Sequence, residues 1–107
     1  MWTLVIFTAS TKAYADRIID SLDRNKLISK RLYRDSCTQH NTYQLLSKDL
    51  TKIENFDLAS TVIVDDKPEN FDLQKDNGIR IRAWFNDDPL DRELQKVEMV
   101  LTMLEKS

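Results

Sequence analysis

Two short strand-forming runs, 4-LVIF-7 and 61-TVIV-64, each break off abruptly into polar residues. Four residues are too few for a helix, and a continuous apolar run of that length suits a strand buried on both faces. Between the two runs, Ser10 or Thr11 can cap a helix. Its residues Tyr14, Ala15, Ile18, Ile19 and Leu22 fall along one face, and Asn25 marks its end. A weaker strand follows at 27-LISKRLYR-34, then an aperiodic polar loop over 35–42, with a brief helix expected around Tyr43 to Leu46 or after Asp49. The segment 79-IRIRAWF-85 alternates strictly, with Ile79, Ile81, Ala83 and Phe85 on one face of a half-exposed strand. Asp87 or Asp88 caps a closing helix, Pro89 sits near its first position, and Leu90, Leu94, Val97, Leu101 and Leu104 form its stripe. Met99 and Met103 beside that stripe read as core, and Trp2 and Trp84 as ordinary packing. Strands alternating with helices in this order predict a layered α/β domain with a mainly parallel sheet.

A length of 107 residues suits one small domain. Sixteen basic residues interleaved with eighteen acidic ones form no basic stripe, so charge gives no case for nucleic acid. No apolar run approaches the ~20 residues of a membrane span, and MWTLVIFTAS lacks the basic flank of a signal peptide. Cys37 is the single cysteine, so no intrachain disulfide is possible and a reducing, non-secreted setting is expected. Gly78 is the single glycine, and that rules out the glycine-rich phosphate loops of P-loop and dinucleotide-binding folds.

Open parallel sheets bind ligands beyond the carboxyl ends of their strands. Thr8 follows LVIF there, and Asp65 and Asp66 follow TVIV. Adjacent carboxylates repel unless a hard cation such as Mg²⁺ sits among them. The simpler reading has Asp66 capping the Lys67-Pro68 turn while Asp65 is solvated, and residue pattern alone does not separate the two. Lys48 could bring a positive charge to the same crevice. Lys30, Arg31 and Arg34 make a locally basic strand end. Cys37 and His40 lack the further ligands of a zinc site and read as loop residues.

Taken together, 7-FTASTKAYAD-16, 31-RLYRDSC-37, 48-KDL-50, 63-IVDDKPENF-71 and 84-WFNDD-88 resemble, in order and near spacing, the small C-terminal-domain phosphatases. These are the NLI-interacting-factor domains of the haloacid dehalogenase superfamily. The likeness runs through the whole chain, which resembles the C-terminal two-thirds of such a domain. It implies a haloacid-dehalogenase-like three-layer fold and Mg²⁺-dependent dephosphorylation of protein serine or threonine through an aspartyl-phosphate. By the same resemblance Thr8 hydrogen-bonds the transferring phosphoryl group and Lys48 neutralises charge around it. Asp65 and Asp66 hold Mg²⁺, and Tyr14 and Arg34 contact the phosphopeptide. Arg34 has the stronger chemical rationale, since a guanidinium pairs well with phosphate.

Two departures from the family pattern matter. The loop from Cys37 to Lys48 is slightly longer and lacks a glycine before the lysine. The family's first motif, D-x-D-x-T, lies upstream of the segment matching LVIF, where this sequence shows Met1, Trp2 and Thr3; no D-x-D occurs in it. The motif supplies the nucleophile and sits on the central strand of a sheet ordered 5-4-1-2-3. The sequence therefore predicts a sheet missing its first, central strand, with LVIF and TVIV either about 10 Å apart or closed up against each other. It also predicts weak or absent Mg²⁺ binding and no hydrolysis by these residues alone. The expected function is that of a truncated phosphatase. The alternatives are a non-catalytic phosphopeptide-binding module, or half of a split enzyme whose missing strand comes from a partner chain.

Overall fold

The computed structural model describes residues 2–39, 46–83 and 90–105. The chain opens with strand β1 (Leu4–Phe7), helix α1 (Lys12–Leu22) and strand β2 (Ile28–Leu32). Thr11 is extended at the mouth of α1, and its carbonyl accepts the Ala15 N–H at 3.0 Å, although its hydroxyl makes no capping bond. Asp23, rather than Asn25, ends the helix. Its N–H closes on the Ile19 carbonyl at 2.7 Å, and its carboxylate collects the N–H groups of Leu27 and Ile28 at 2.8 and 3.1 Å. Those two bonds redirect the chain into β2 and hold Lys26 at a φ of 52°, a left-handed conformation uncommon outside glycine.

β1 and β2 pair in parallel, with Phe7 opposite Leu32 and an irregularity between Leu4 and Val5. α1 lays Ala15 and Ile19 inward, while Tyr14, Ile18 and Leu22 are exposed, so three of the five residues in the predicted stripe face solvent. β1 is not buried on both faces: Leu4 is exposed and the other three residues are half-buried. The reason is that β2 is its one strand partner among the described residues, which leaves the opposite edge open.

Asp16 ties this half together. Its carboxylate accepts from Lys12 Nζ at 2.5 Å, from Arg31 Nη1 at 2.9 Å and from the Tyr33 hydroxyl. The hydrogen bonds from Lys12, Tyr33 and Arg31 hold the Asp16 carboxyl well below the ordinary carboxylate range. A carboxyl depressed on folding stabilises above its unfolded value, near 4, and that contribution disappears as the pH falls through the folded value. The difference in urea midpoint between wild type and Asp16→Asn should therefore be largest near neutral pH and shrink steadily below about pH 4. A constant difference down to acid pH would contradict this role.

The second half is built on β5 (Ile63–Asp65) and β6 (Gly78–Arg80), paired in parallel as Ile63–Gly78, Val64–Ile79 and Asp65–Arg80. Its core is Leu50, Ile63 and Phe71, with Ile53 and Phe56 packed against them. Gly78 is there for space rather than for backbone freedom. A Cβ on it would lie 2.7 Å from Phe71 Cγ and closer still to the ring edge, so any side chain would displace a buried aromatic. Two 3-10 turns run through Pro68–Asn77, with breaks at Phe71 and Gln74. Further 3-10 turns cover Arg34–Ser36, Leu50–Lys52 and Leu58–Ser60.

Within the loop predicted over 35–42, Thr38–Gln39 is a short strand, β3, antiparallel to β4 (Leu46–Ser47). Leu46 is thus in a strand, and the helical turn after Asp49 is a 3-10 turn capped by the Asp49 carboxylate. Tyr43, the rest of that predicted helix, lies outside the described residues, as do His40, Trp84, Phe85, Asp87, Asp88 and Pro89. The strand predicted over 79–85 is shorter than expected, although alternation of burial continues from Ile79 to Ala83.

Helix α2 (Glu93–Glu105) buries Val97 and half-buries Leu101. Trp2 joins it by donating its indole N–H to the Leu101 carbonyl at 3.2 Å. Leu90, Leu94, Leu104, Met99 and Met103 are exposed, which corrects their placement in the core. No described helix is long and apolar enough to cross a membrane.

Candidate active site

Asp65 is the last residue of β5, and its side chain is the centre of the site. The residue is 8% exposed and Lys48 is 9% exposed, and Lys48 Nζ lies 2.5 Å from Asp65 Oδ2. Asp65 Oδ1 accepts the Lys67 N–H at 3.1 Å, and Asn70 Nδ2 donates to both carboxylate oxygens at 3.2 Å. Burial pushes the Asp65 carboxyl upward, but the hydrogen bonds from Lys48, Lys67 and Asn70, with the charge of Lys48, outweigh it and lower it below its ordinary value. Asp65 is therefore ionised, buried and paired.

The simple turn-cap reading comes out reversed. Asp65, not Asp66, holds the turn N–H, and Asp65 is buried rather than solvated. Asp66 is half-buried, and its carboxylate has no hydrogen-bond or ion-pair partner among the described residues.

Lys48 reaches the site from the other direction. It follows β4, its N–H donates to the Asn70 carbonyl at 2.7 Å, and beside it Ser47 is fully buried and donates to Asp72 Oδ1 at 2.6 Å. The longer loop before Lys48 does not displace it from the strand end bearing Asp65.

Thr8 lies just past β1. Its N–H extends the β1–β2 ladder to the Leu32 carbonyl at 2.9 Å, and its hydroxyl oxygen accepts the Ser10 N–H at 3.0 Å, while the hydroxyl proton meets no acceptor among the described residues. Arg34 grips the same loop. Its N–H meets the Ser10 carbonyl at 3.0 Å and its Nε the Ala9 carbonyl at 2.7 Å, while its terminal nitrogens have no partner among the described residues. The other cations of that strand end are engaged: Arg31 with Asp16 and Asp20, Lys30 with Glu54. Tyr14 stands apart, exposed on α1 with no hydrogen bond among the described residues.

Cys37, expected to be a loop residue, lies between the two halves. Its thiol is 3.7 Å from the Thr8 carbonyl and 3.8 Å from that of Tyr33. Burial pushes it up, while the charges of Lys48 and Arg34 pull it down and those of Asp35 and Asp65 add to the rise. The thiol thus sits against the Thr8 loop and within the field of Lys48, Arg34 and Asp65. Its raised value makes it a poor nucleophile at neutral pH.

No cluster of three or more His, Cys, Asp or Glu side chains suited to a metal ion occurs among the described residues. The adjacent carboxylates fit part of a Mg²⁺ shell. That ion is usually held through one or two carboxylates, with water and phosphate oxygens completing the octahedron. The Asp66 carboxylate, without a partner among the described residues, suits direct contact, whereas the oxygens of Asp65 are already engaged by Lys48, Lys67 and Asn70.

A family model described as NLI interacting factor-like phosphatase matches residues 1–107. The chain is 40% identical over 104 residues to CTD small phosphatase-like protein 2 of Dictyostelium discoideum, covering 97% of this chain and 18% of that protein. It is 39% identical over 113 residues to the probable C-terminal domain small phosphatase of the same organism, covering 97% of this chain and 36% of the relative. With CTD nuclear envelope phosphatase 1B of Danio rerio it shares 39% identity over 104 residues, 96% of this chain and 41% of the relative. The chain thus spans well under half the length of these relatives. It belongs to the NLI interacting factor-like phosphatase family.

Proposed function

We propose that these residues form the phosphoryl-binding part of a Mg²⁺-dependent protein serine/threonine phosphatase. The observation that carries this reading is the buried Lys48–Asp65 pair, next in the chain to an Asp66 carboxylate that has no partner among the described residues. Lys48 offsets phosphoryl charge where water is largely excluded, the setting in which a fixed cation acts most strongly. Thr8 donates to a phosphoryl oxygen. Arg34, with its Nε anchored and its terminal nitrogens open, binds the phosphate or an acidic neighbour in the substrate protein, and Tyr14 contacts the peptide further out. Asp65 and Asp66 would hold Mg²⁺, which neutralises phosphoryl oxygens when bound.

The reaction further requires a carboxylate to attack phosphorus, with the serine or threonine oxygen leaving as it takes up a proton; water then hydrolyses the aspartyl-phosphate. No D-x-D is present among the 107 residues, and our reading takes that carboxylate from outside them. The haloacid-dehalogenase-like sheet suggests where. β2–β1 and β5–β6 are the pairs expected on either side of the central strand, and β1 and β5 each have one edge without a strand partner among the described residues. We read these two edges as the ones that a strand from another segment or a partner chain would pair with by β-augmentation. The second reading, a non-catalytic phosphopeptide-binding module, is favoured by candidate binding groups in a sequence that carries no D-x-D. Both readings place the protein inside the cell, in the nucleus or cytoplasm.

Phosphopeptide binding tests what the two readings share. By calorimetry, a phosphoserine peptide should bind more tightly than its unphosphorylated form, and Arg34→Ala should weaken it about tenfold or more, the scale of lost charge-assisted hydrogen bonds. Equal affinity for the two peptides would overturn the phosphoryl-binding assignment.

A further inference from the structure

The segment after the acid pair does more than connect β5 to β6. Alternate residues of its 3-10 turns bond to the segment that carries Lys48. Asn70 O accepts the Lys48 N–H, Asp72 Oδ1 accepts the Ser47 hydroxyl, and Gln74 Oε1 accepts the Leu50 N–H at 3.0 Å. Gln74 Nε2 then donates to Asp49 Oδ1 at 2.9 Å. One member of this series also touches the site. The Asn70 main chain fixes the base of Lys48, and its side-chain amide donates to both oxygens of Asp65.

We infer that Asn70 is a positioning residue that holds the Lys48 ammonium and the Asp65 carboxylate in register with each other. The inference extends the proposed function by naming the group that sets the geometry of its charged pair. The chemistry suits an asparagine. Two amide protons can face a carboxylate without adding charge, whereas an aspartate there would repel Asp65. Hydrogen bonds to an ionised group are the strong ones, so their loss should be felt at the pair before it is felt elsewhere. Outer groups that orient a charged ligand commonly matter about tenfold or more to what the site binds.

Acylation of lysine amines, read residue by residue by mass spectrometry, tests this on the folded chain. In wild type, buried and paired Lys48 should react more slowly than exposed Lys12 and Lys52. Asn70→Ala should speed Lys48 about tenfold, the effect of freeing a group held by roughly 1.4 kcal/mol, and leave Lys12 and Lys52 unchanged. Asn70→Ser, which retains a hydroxyl donor and the main-chain carbonyl, should recover part of the protection, and it serves as the variant of record if the alanine form does not fold. Unchanged protection of Lys48 in a folded variant overturns the inference, and so does a rise equal at all lysines. Calorimetry with Mg²⁺ alone forms a second arm, in which Asn70→Ala should weaken binding about tenfold. If these residues alone take up no Mg²⁺, as the lack of a D-x-D leads one to expect, acylation by itself decides the role of Asn70.

Discussion

Replacing Lys48 with methionine is expected to remove about 3–5 kcal/mol of stability, the cost of leaving a buried carboxylate without its counter-charge. The side chains of Lys48 and Asp65 are 11% and 7% exposed, so neither charge can recover its hydration without opening the fold. Methionine keeps the length and the apolar stem of lysine, so the loss is electrostatic rather than a cavity. A domain of this size has about 5–15 kcal/mol in total, so the urea midpoint should fall sharply with little change in slope. Adding Asp65→Asn to that variant should restore about 1–3 kcal/mol, because the stranded charge is then gone. Lys30→Met is the internal control. Its partner Glu54 is 77% exposed, and exposed pairs contribute about 1 kcal/mol or less. If Lys48→Met were as mild as Lys30→Met, the pair would have to be solvated and the site open.

How much of this was legible in the sequence follows from which forces leave a periodic trace. β1, α1, β2 and β5 were readable because burial of one face or two imposes a repeat on the apolar residues. Their ends were less so: Asp23 ends α1 through its carboxylate, and nothing in composition distinguishes it from Asn25. The Pro68–Asn77 run carried a turn signal at Lys67-Pro68 and no more, since short 3-10 turns impose no amphipathic stripe. Two-residue strands such as β3 and β4 have no period at all. The exposure of Met99 and Met103 was hidden for a different reason. A helix stripe records an apolar face but not what covers it.

The same division runs through the site. Thr8 and the aspartates were found because a buried strand must end somewhere, and polar residues at that point are conspicuous. Lys48 was one lysine among many until resemblance singled it out, and only its burial beside Asp65 gives it a physical distinction. Asn70 was missed, and Cys37 was read only as the loop residue it is. Both act through contacts between segments distant in sequence, Asn70 with Lys48 and Cys37 with Thr8, and such contacts leave no local pattern. The spacing from Asp65 to Asn70 across a Pro turn is the one clue that could have been used, as an amide folding back on a carboxylate.

The largest effect is expected from supplying a nucleophile. With Mg²⁺ and para-nitrophenyl phosphate, the 107 residues alone should show no turnover above background. The same residues joined to, or mixed with, a segment bearing D-x-D-x-T should gain about four orders of magnitude or more, the scale set by removing one member of a catalytic unit. The gain is large because binding groups and nucleophile act multiplicatively. Lys48, Thr8 and the carboxylates can orient a phosphate, but covalent transfer needs an attacking oxygen in line with the leaving one. In the completed form, Asp65→Asn should abolish most of the gain, since it strands Lys48 and removes one of the two carboxylates proposed to hold Mg²⁺. Three outcomes separate the readings. Turnover only on completion supports a phosphatase whose nucleophile comes from another segment or chain. Phosphopeptide binding with no turnover in either form supports the non-catalytic module. Turnover by the 107 residues alone, lost in Asp65→Asn, would mean that a carboxylate within them already attacks phosphorus. Asp66, the one site carboxylate without a partner among the described residues, would then be the first to replace.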